Sequence, residues 1–389
     1  MDDGGRAPIH WPIAPSPWTL PTHATIFTGL WPHEHGAEWW TPLDRAAPTL
    51  AEELAARGYA TAGFVANVSY CSRESGLARG FSHYEDFTAS PGRVLESSSL
   101  IRAALRSRQV RKMTGFYELP GRKRAPELNR SVLRWVTGQE EGRPWLVFVN
   151  YYDAHAPYLP EKPFDTLFGP APRGEPWIIE EAARRSPPDD VDELLESYEE
   201  TIAYIDHHVG ALLDSLDERG QLTNTIVVVT SDHGEAFGEH GQMGHGEDIH
   251  MELLHVPLIL AGTTRVPRGV SIAEPVSLRD LPATLLDLAG KHGDVIPGSS
   301  LAARWLGNGS GQGSALFGSD RRMRSLVDGE YHYVLDRSRT ERLYAFKTDP
   351  MEQHDLARAP GADSLLARMH WRVDPIFPSP PWGKDRATP

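Results

Sequence analysis

Thr225-Ile-Val-Val-Val-Thr-Ser-Asp-His-Gly-Glu-Ala-Phe-Gly-Glu-His-Gly-Gln-Met-Gly-His-Gly246 is the stretch on which the fold turns. Its opening run, Thr225 to Val229, is short, β-branched and bounded by turn residues, the pattern of a buried strand. The strand leads into Asp232-His233, which sets a hard carboxylate beside an imidazole at a sheet edge. Such a pair begins a divalent-metal site, and His240 and His245 follow it in a glycine-rich loop.

Outward from this stretch the pattern alternates between helix and strand. Thr49 to Arg57 has helical spacing with Gly58 at its end, and Tyr59 to Ala66 then reads as a strand. A helix closing near Leu133 to Trp135 precedes the strand Trp145-Leu-Val-Phe-Val-Asn150. Tyr198, Ile202, Ile205, Val209, Leu212 and Leu216 recur at three- and four-residue spacing, which predicts a helix with that stripe facing the core. Asp206-His207-His208 lies on it, but adjacent helical side chains point about 100° apart, so a shared metal is not expected there. Beyond the loop come a strand from Val256 to Gly262 and a capped helix from Ser277 to Gly290. Ser325 to Leu335 then reads as paired strand runs about a glycine turn. Arg102 to Arg124 reads as a solvated helix and loop, Pro160 to Asp190 as a surface excursion, and Gly307 to Ser314 as a linker. The expected fold is α/β, a central and largely parallel sheet flanked by helices, with a small C-terminal antiparallel sheet. Residues 1–306 are expected to form the main domain and 307–389 the small one.

Composition fits a soluble enzyme: 389 residues, 40% hydrophobic and 24% charged. No run reaches the length of a membrane span and no signal peptide opens the sequence, which places the chain in the cytoplasm as an expectation. The single cysteine excludes an internal disulfide framework. A net charge of −14 argues against nucleic acid or an anionic membrane as partner, and means that local positive charge must draw in any anionic substrate.

Ser231-Asp-His-Gly-Glu235, Gly238-Glu-His-Gly241 and Gly244-His-Gly246 resemble the C-terminal metal motif of the sulfatases. That family lies in the wider alkaline phosphatase superfamily, with phosphodiesterases, phosphonate hydrolases and phosphoethanolamine transferases. Two more blocks carry the resemblance in family order. Ser16 to Gly36 is similar to the nucleophile segment, and Asn150-Tyr-Tyr-Asp-Ala-His-Ala-Pro-Tyr158 to the block whose histidine meets the ester's oxygens. Ser277 to Gly290 and Arg342 to Glu352 extend it towards the C-terminus. The resemblance implies Asp232 and His233 as metal ligands, His155 and His245 on the ester oxygens or leaving group, and His23 and His240 as further substrate contacts. Asp153 is open between substrate contact and packing.

The position of the family's modified cysteine or serine holds Thr19, within Thr19-Leu-Pro-Thr-His23. Threonine is not a substrate for that modification and Cys71 does not fit the motif, so no formylglycine is expected. A threonine there resembles the phosphoryl-transfer branches, in which a metal-bound alkoxide attacks. Metal coordination would activate and orient the hydroxyl, and the N-terminus of the following helix would favour negative charge. Thr19 as a helix N-cap is compatible with the same reading. His233, where sulfatases usually carry asparagine, favours Zn²⁺ or Mn²⁺; Ca²⁺ or Mg²⁺ is the other possibility.

Two departures stand out. The family's opening strand ends in paired aspartates that complete the metal site, whereas Asp2 and Asp3 here have no apolar strand before them and read as coincidental. Either the protein is longer than this chain or half of the metal site is missing. Asn67-Val-Ser-Tyr70 also stands where sulfatases place a Lys-x-His substrate grip. Trp11, Trp18, Trp39 and Trp40 are open between stacking on a sugar or aryl group and core packing. The expected activity is hydrolysis of an anionic small-molecule or glycan ester, sulfate, phosphate, phosphodiester or phosphonate, through Thr19. A phosphoryl-group transferase and an inactive family member remain the alternatives.

Overall fold

The strand Ala60–Val65 is buried at all six positions. It pairs in parallel with His83–Glu85 on one side and with Trp145–Asn150 on the other. The crossover from 83–85 to 145–150 carries helices, whereas that from 60–65 to 83–85 carries only the short 3-10 turn Arg73–Ser75. Leu50–Ala56 enters the first strand after a capping box, with Thr49 accepting the Glu52 amide and Glu52 accepting the Thr49 amide. Ala125–Thr137 enters the strand Trp145–Asn150. In this computed structural model the described residues are 7–8, 10–87, 98–114, 117, 122–170, 191–290, 295–305, 316–319, 323–336 and 338–373. Asp2, Asp3, the 307–314 linker and residues 171–190 of the surface excursion lie outside them.

A second sheet centres on Leu258–Ala261, which pairs antiparallel with Val227–Thr230 and with Ala7–Pro8. The first sheet is parallel throughout, a short parallel pair joins Pro12–Ile13 to Val276–Ser277, and the strand leading to Asp232 joins an antiparallel sheet. Every residue of 145–150 and of 227–230 is only half-buried. Each of these strands ends its sheet among the described residues. The helix Thr19–Thr28 lies beneath both: Ile26 packs against the cluster that takes in Leu146 and Phe148 and against the one that takes in Val228. Helices 125–137 and Val191–Asp217 cover the other face of the first sheet, where Leu128, Val132, Leu212 and Leu216 meet Val147 and Val149.

On the 191–217 helix Leu212 and Leu216 of the expected stripe are buried and Tyr198, Ile205 and Val209 half-buried, but Ile202 is not. Leu194, Ser197, Thr201, Tyr204, Leu212 and Leu216 are buried, and Ile202 is 43% exposed. Burial follows the tertiary partner, and Tyr204 wins the core position that hydropathy assigned to Ile202. The basic run before residue 125 also departs from expectation. It contains the helices Ser99–Arg106 and Arg108–Thr114, but Arg111, Arg122 and Lys123 are buried. Lys123 Nζ donates to Glu85 Oε1 at 3.0 Å, which supplies the buried ammonium with its counter-charge.

Towards the C-terminus, Leu316–Ser319, Arg324–Asp328, Tyr331–Leu335 and Glu341–Tyr344 form an antiparallel meander. Gly329 makes the central turn at φ 64°. One face meets Ile13, Trp31, Ile249 and Met251 through Val327, Val334, Tyr344 and Phe346. The other is covered by the helix Asp363–Val373 through Met369 and Val373. No helix among the described residues is long and apolar enough to cross a membrane.

Candidate active site

Thr19 is the first residue of the 19–28 helix, and the N-cap position itself belongs to Trp18. The hydroxyl is thus free of capping, and its Oγ1 lies 3.4 Å from His233 Nε2. His233 follows strand 227–230, and its Nδ1 is 2.8 Å from the Gly234 carbonyl. A carbonyl only accepts, so Nδ1 carries the proton and Nε2 keeps its lone pair towards Thr19. Asp232 Oδ2 is 3.5 Å from the same Nε2. Asp232, His233 and Thr19 therefore offer one carboxylate, one imidazole and one hydroxyl on a common point, a donor set suited to a divalent cation.

Three more histidines complete the cluster. His23 Nδ1 is held by the Thr19 carbonyl at 2.8 Å, one helical turn back, and lies 3.7 Å from Asp232 Oδ2. His245 packs its ring 4.3 Å from that of His233, and His155 lies 5.1 Å beyond His245. His155 Nδ1 bonds the Ala156 carbonyl at 2.7 Å, while His245 Nδ1 bonds Glu235 Oε1 at 2.8 Å. Tyr158 donates to the other oxygen of Glu235 at 2.8 Å.

These partners drive the imidazoles apart electrostatically. Burial lowers His155 to about 3, helped by the charge of His245, so it is neutral. Burial also opposes charge on His245, but Glu235 more than compensates and raises it above the ordinary histidine value. Asp232 loses solvation on burial, yet His233, His23 and His245 hold it below the ordinary carboxylate value. His233 is lowered by burial against the pull of Asp232, which favours the neutral, ligating form.

Two residues flagged in the sequence fall outside this group. Asp153 is fully buried, and its Oδ1 faces Arg124 at 3.5 Å. His240 stacks on His250 at 3.8 Å, in a separate cluster against the C-terminal sheet. Conversely, the sequence reading passed over Glu235, Tyr158 and Arg122. Glu235 and Tyr158 stand within the quoted motifs, but only the fold shows that they orient His245. Arg122 forks onto the carbonyls of Tyr152, Asp153, His155 and Pro157, pinning the loop that carries His155.

An aromatic wall rises beside His245. Trp18 stacks on Trp39 at 3.8 Å and 2°, lies 5.2 Å from His245, and meets Tyr70 edge-on at 5.1 Å. Tyr70 thus fills the region where the Lys-x-His grip was absent. Gly246 passes so close, at φ 92°, that a Cβ would fall 2.4 Å from the Trp18 ring.

The Sulfatase family model matches residues 13–291. Choline-sulfatase of Rhizobium meliloti (strain 1021) is 28% identical over 257 residues, which cover 57% of this chain and 48% of that protein. A putative extracellular sulfatase Sulf-1 homolog of Caenorhabditis elegans is 24% identical over 312 residues, covering 71% and 41%. The chain thus spans about half or less of the length of these curated relatives. Among solved structures, the phosphonate monoester hydrolase of Agrobacterium radiobacter superposes with a TM-score of 0.73 at 20% identity, covering 95% of this chain and 88% of that one. A structure in complex with its substrate D-glucosamine-2-N,6-O-disulfate gives 0.74 at 16% identity, covering 96% and 90%. With the family model matched across the strands and loops that bear the histidine cluster, the chain belongs to the Sulfatase family.

Proposed function

We propose that this chain is the catalytic part of a metal-dependent hydrolase of anionic esters, with Thr19 as nucleophile. The observation that supports it most is the 3.4 Å approach of Thr19 Oγ1 to His233 Nε2 beside Asp232. A divalent cation, held by Asp232, His233 and Thr19, would lower the hydroxyl pKa and offset the charge of the ester oxygens. Thr19 Oγ, its proton released to solvent as the lowered pKa allows, attacks the phosphorus or sulfur in line, and the bond to the leaving alcohol oxygen breaks. His245, kept protonated by Glu235, delivers the proton that the departing oxygen takes up. His155, neutral and fixed through Nδ1, presents Nε2 to the same region. Water then releases the product acid from Thr19. The aromatic wall of Trp18, Trp39 and Tyr70 favours an ester carrying an aryl or sugar group on that side.

The substrate range proposed is sulfate, phosphate or phosphonate esters of small molecules or glycans. The test is a panel of nitrophenyl sulfate, phosphate, phosphodiester and phosphonate, with Zn²⁺, Mn²⁺, Ca²⁺ or Mg²⁺ added in turn. Turnover of at least one ester that is abolished by Thr19→Ala supports the reading. Turnover that survives Thr19→Ala in a folded protein overturns it.

A further inference from the structure

His240, bent away from Thr19, enters a second group of metal-ligating side chains. The ligand atoms of Asp248, His250 and Glu252 all lie within 4.8 Å of one another, as do those of His240, His250 and Glu352. His240 Nε2 is 3.8 Å from Glu252 Oε1. Most of these groups have partners. Asp248 Oδ1 is 2.6 Å from His250 Nδ1, and Glu352 takes the Met251 amide at 3.0 Å with one oxygen and His332 with the other.

Glu252 is the exception. Its side chain is 9% exposed, and neither carboxylate oxygen has a hydrogen-bond partner. A buried carboxylate without a hydrogen bond is costly unless a close counter-charge or a proton meets it. The site has access to solvent, because cavities of about 330 and about 230 Å³ both border His240.

We propose that Asp248, His250 and Glu252, joined by His240, bind a second divalent cation of the zinc type. Two carboxylates and two imidazoles suit Zn²⁺ better than Ca²⁺ or Mg²⁺, which prefer oxygen ligands alone. A tetrahedral zinc ion sets its ligand atoms roughly 3.3 Å apart, close to the His240 to Glu252 separation. Asp248 already meets His250 at Nδ1, the nitrogen with which it would share the ion, while Nε2 faces the Tyr344 hydroxyl at 3.3 Å. Coordination turns the His240 ring out of its stack on His250. The ion ties the glycine-rich loop to the short helix Met251–Leu254. It also braces the first site: Gly234, next to His233, donates to the Leu253 carbonyl at 2.8 Å, and a Cβ on Gly234 would fall 2.0 Å from the Glu252 carbonyl oxygen. The second ion is structural, and its loss loosens the backbone that aims His233.

The test uses the full chain, stripped with chelator and titrated with Zn²⁺ while bound metal and thermal unfolding are followed. An Asp232→Ala/His233→Ala variant removes the first site and isolates the second. It is expected to bind one Zn²⁺ per chain and to unfold several degrees higher with the ion than without. Adding Glu252→Gln, or separately His240→Ala, is expected to abolish that ion and the thermal shift. A folded Asp232→Ala/His233→Ala chain that binds no Zn²⁺ overturns the proposal, as does one that keeps the ion after Glu252→Gln. The two sites are emptied by different substitutions, so failure of the catalytic reading leaves this result interpretable.

Discussion

His240 and His245 share one glycine-rich loop, yet they end in clusters built on different rules. In the cluster around Thr19, His23, His155 and His233 each spend Nδ1 on a backbone carbonyl. Their tautomers are fixed by the main chain, whereas His245 gives its Nδ1 to the Glu235 carboxylate. In the cluster around Glu252, the histidines stack on each other or pair with acidic side chains, as with Asp248 and His250. The first arrangement fixes lone pairs for chemistry. The second concentrates opposite charges, which serves cohesion. Proximity in sequence says little about which of the two a histidine joins.

The sharpest way to break this comparison is Thr19→Ala. Turnover should fall on the order of a thousand-fold or more with the melting temperature nearly unchanged, since the hydroxyl approaches His233 only at 3.4 Å. Paired kinetics and calorimetry check this, and an equal loss in both would make Thr19 a packing residue. Next is Gly246→Ala, where the new methyl meets Trp18 and Trp39 at a backbone conformation that alanine resists. Urea denaturation should show a loss of about 3 kcal/mol, which tests whether the aromatic wall is as rigid as its stacking implies.

Glu235→Gln sharpens the distinction of His245 from its neighbours. Glu235 raises the pKa of His245, so its removal lets that pKa fall. The imidazolium is then lost at lower pH, and the basic limb of the kcat/KM profile moves towards acid. Histidine NMR titration measures the shift directly, and an unmoved His245 resonance would remove it from the acid role. The smallest effect is expected from Tyr344→Phe, which deletes a 3.3 Å contact to His250 Nε2. Chemical denaturation should register about 0.5 kcal/mol; a much larger loss would mean that this hydroxyl holds the second cluster together.

Much of the frame was legible from local pattern. The strand at 145–150 has the expected bounds, and the hairpin around Gly329 and the capping box at Thr49 lie where turn and cap residues put them. Thr19, Asp232 and His233 were singled out by the family resemblance, and the fold brings Thr19 and Asp232 to 3.4 and 3.5 Å from His233. What escaped depends on long-range partners. The positive φ of 50° at His240 swings it to the C-terminal sheet, and nothing in Glu239-His240-Gly241 alone announces that turn. Ile202 faces outward because Tyr204 fills the core. Arg122 and Lys123 looked like solvated charge until the carbonyls around His155 and the Glu85 carboxylate came within reach.

The half-buried strands at 145–150 and 227–230 bear on how the chain behaves in a crowded solution. Each presents one row of amides and carbonyls with no strand beside it among the described residues. A row of that kind is a template for any passing extended segment. With β-branched and aromatic side chains along both rows, these edges are a site for self-association. Both strands run towards the histidine cluster, so a segment that pairs alongside in the same direction brings its last residues to Asp232 or His155. What such a segment carries at that end would then be added to the chemistry of the site.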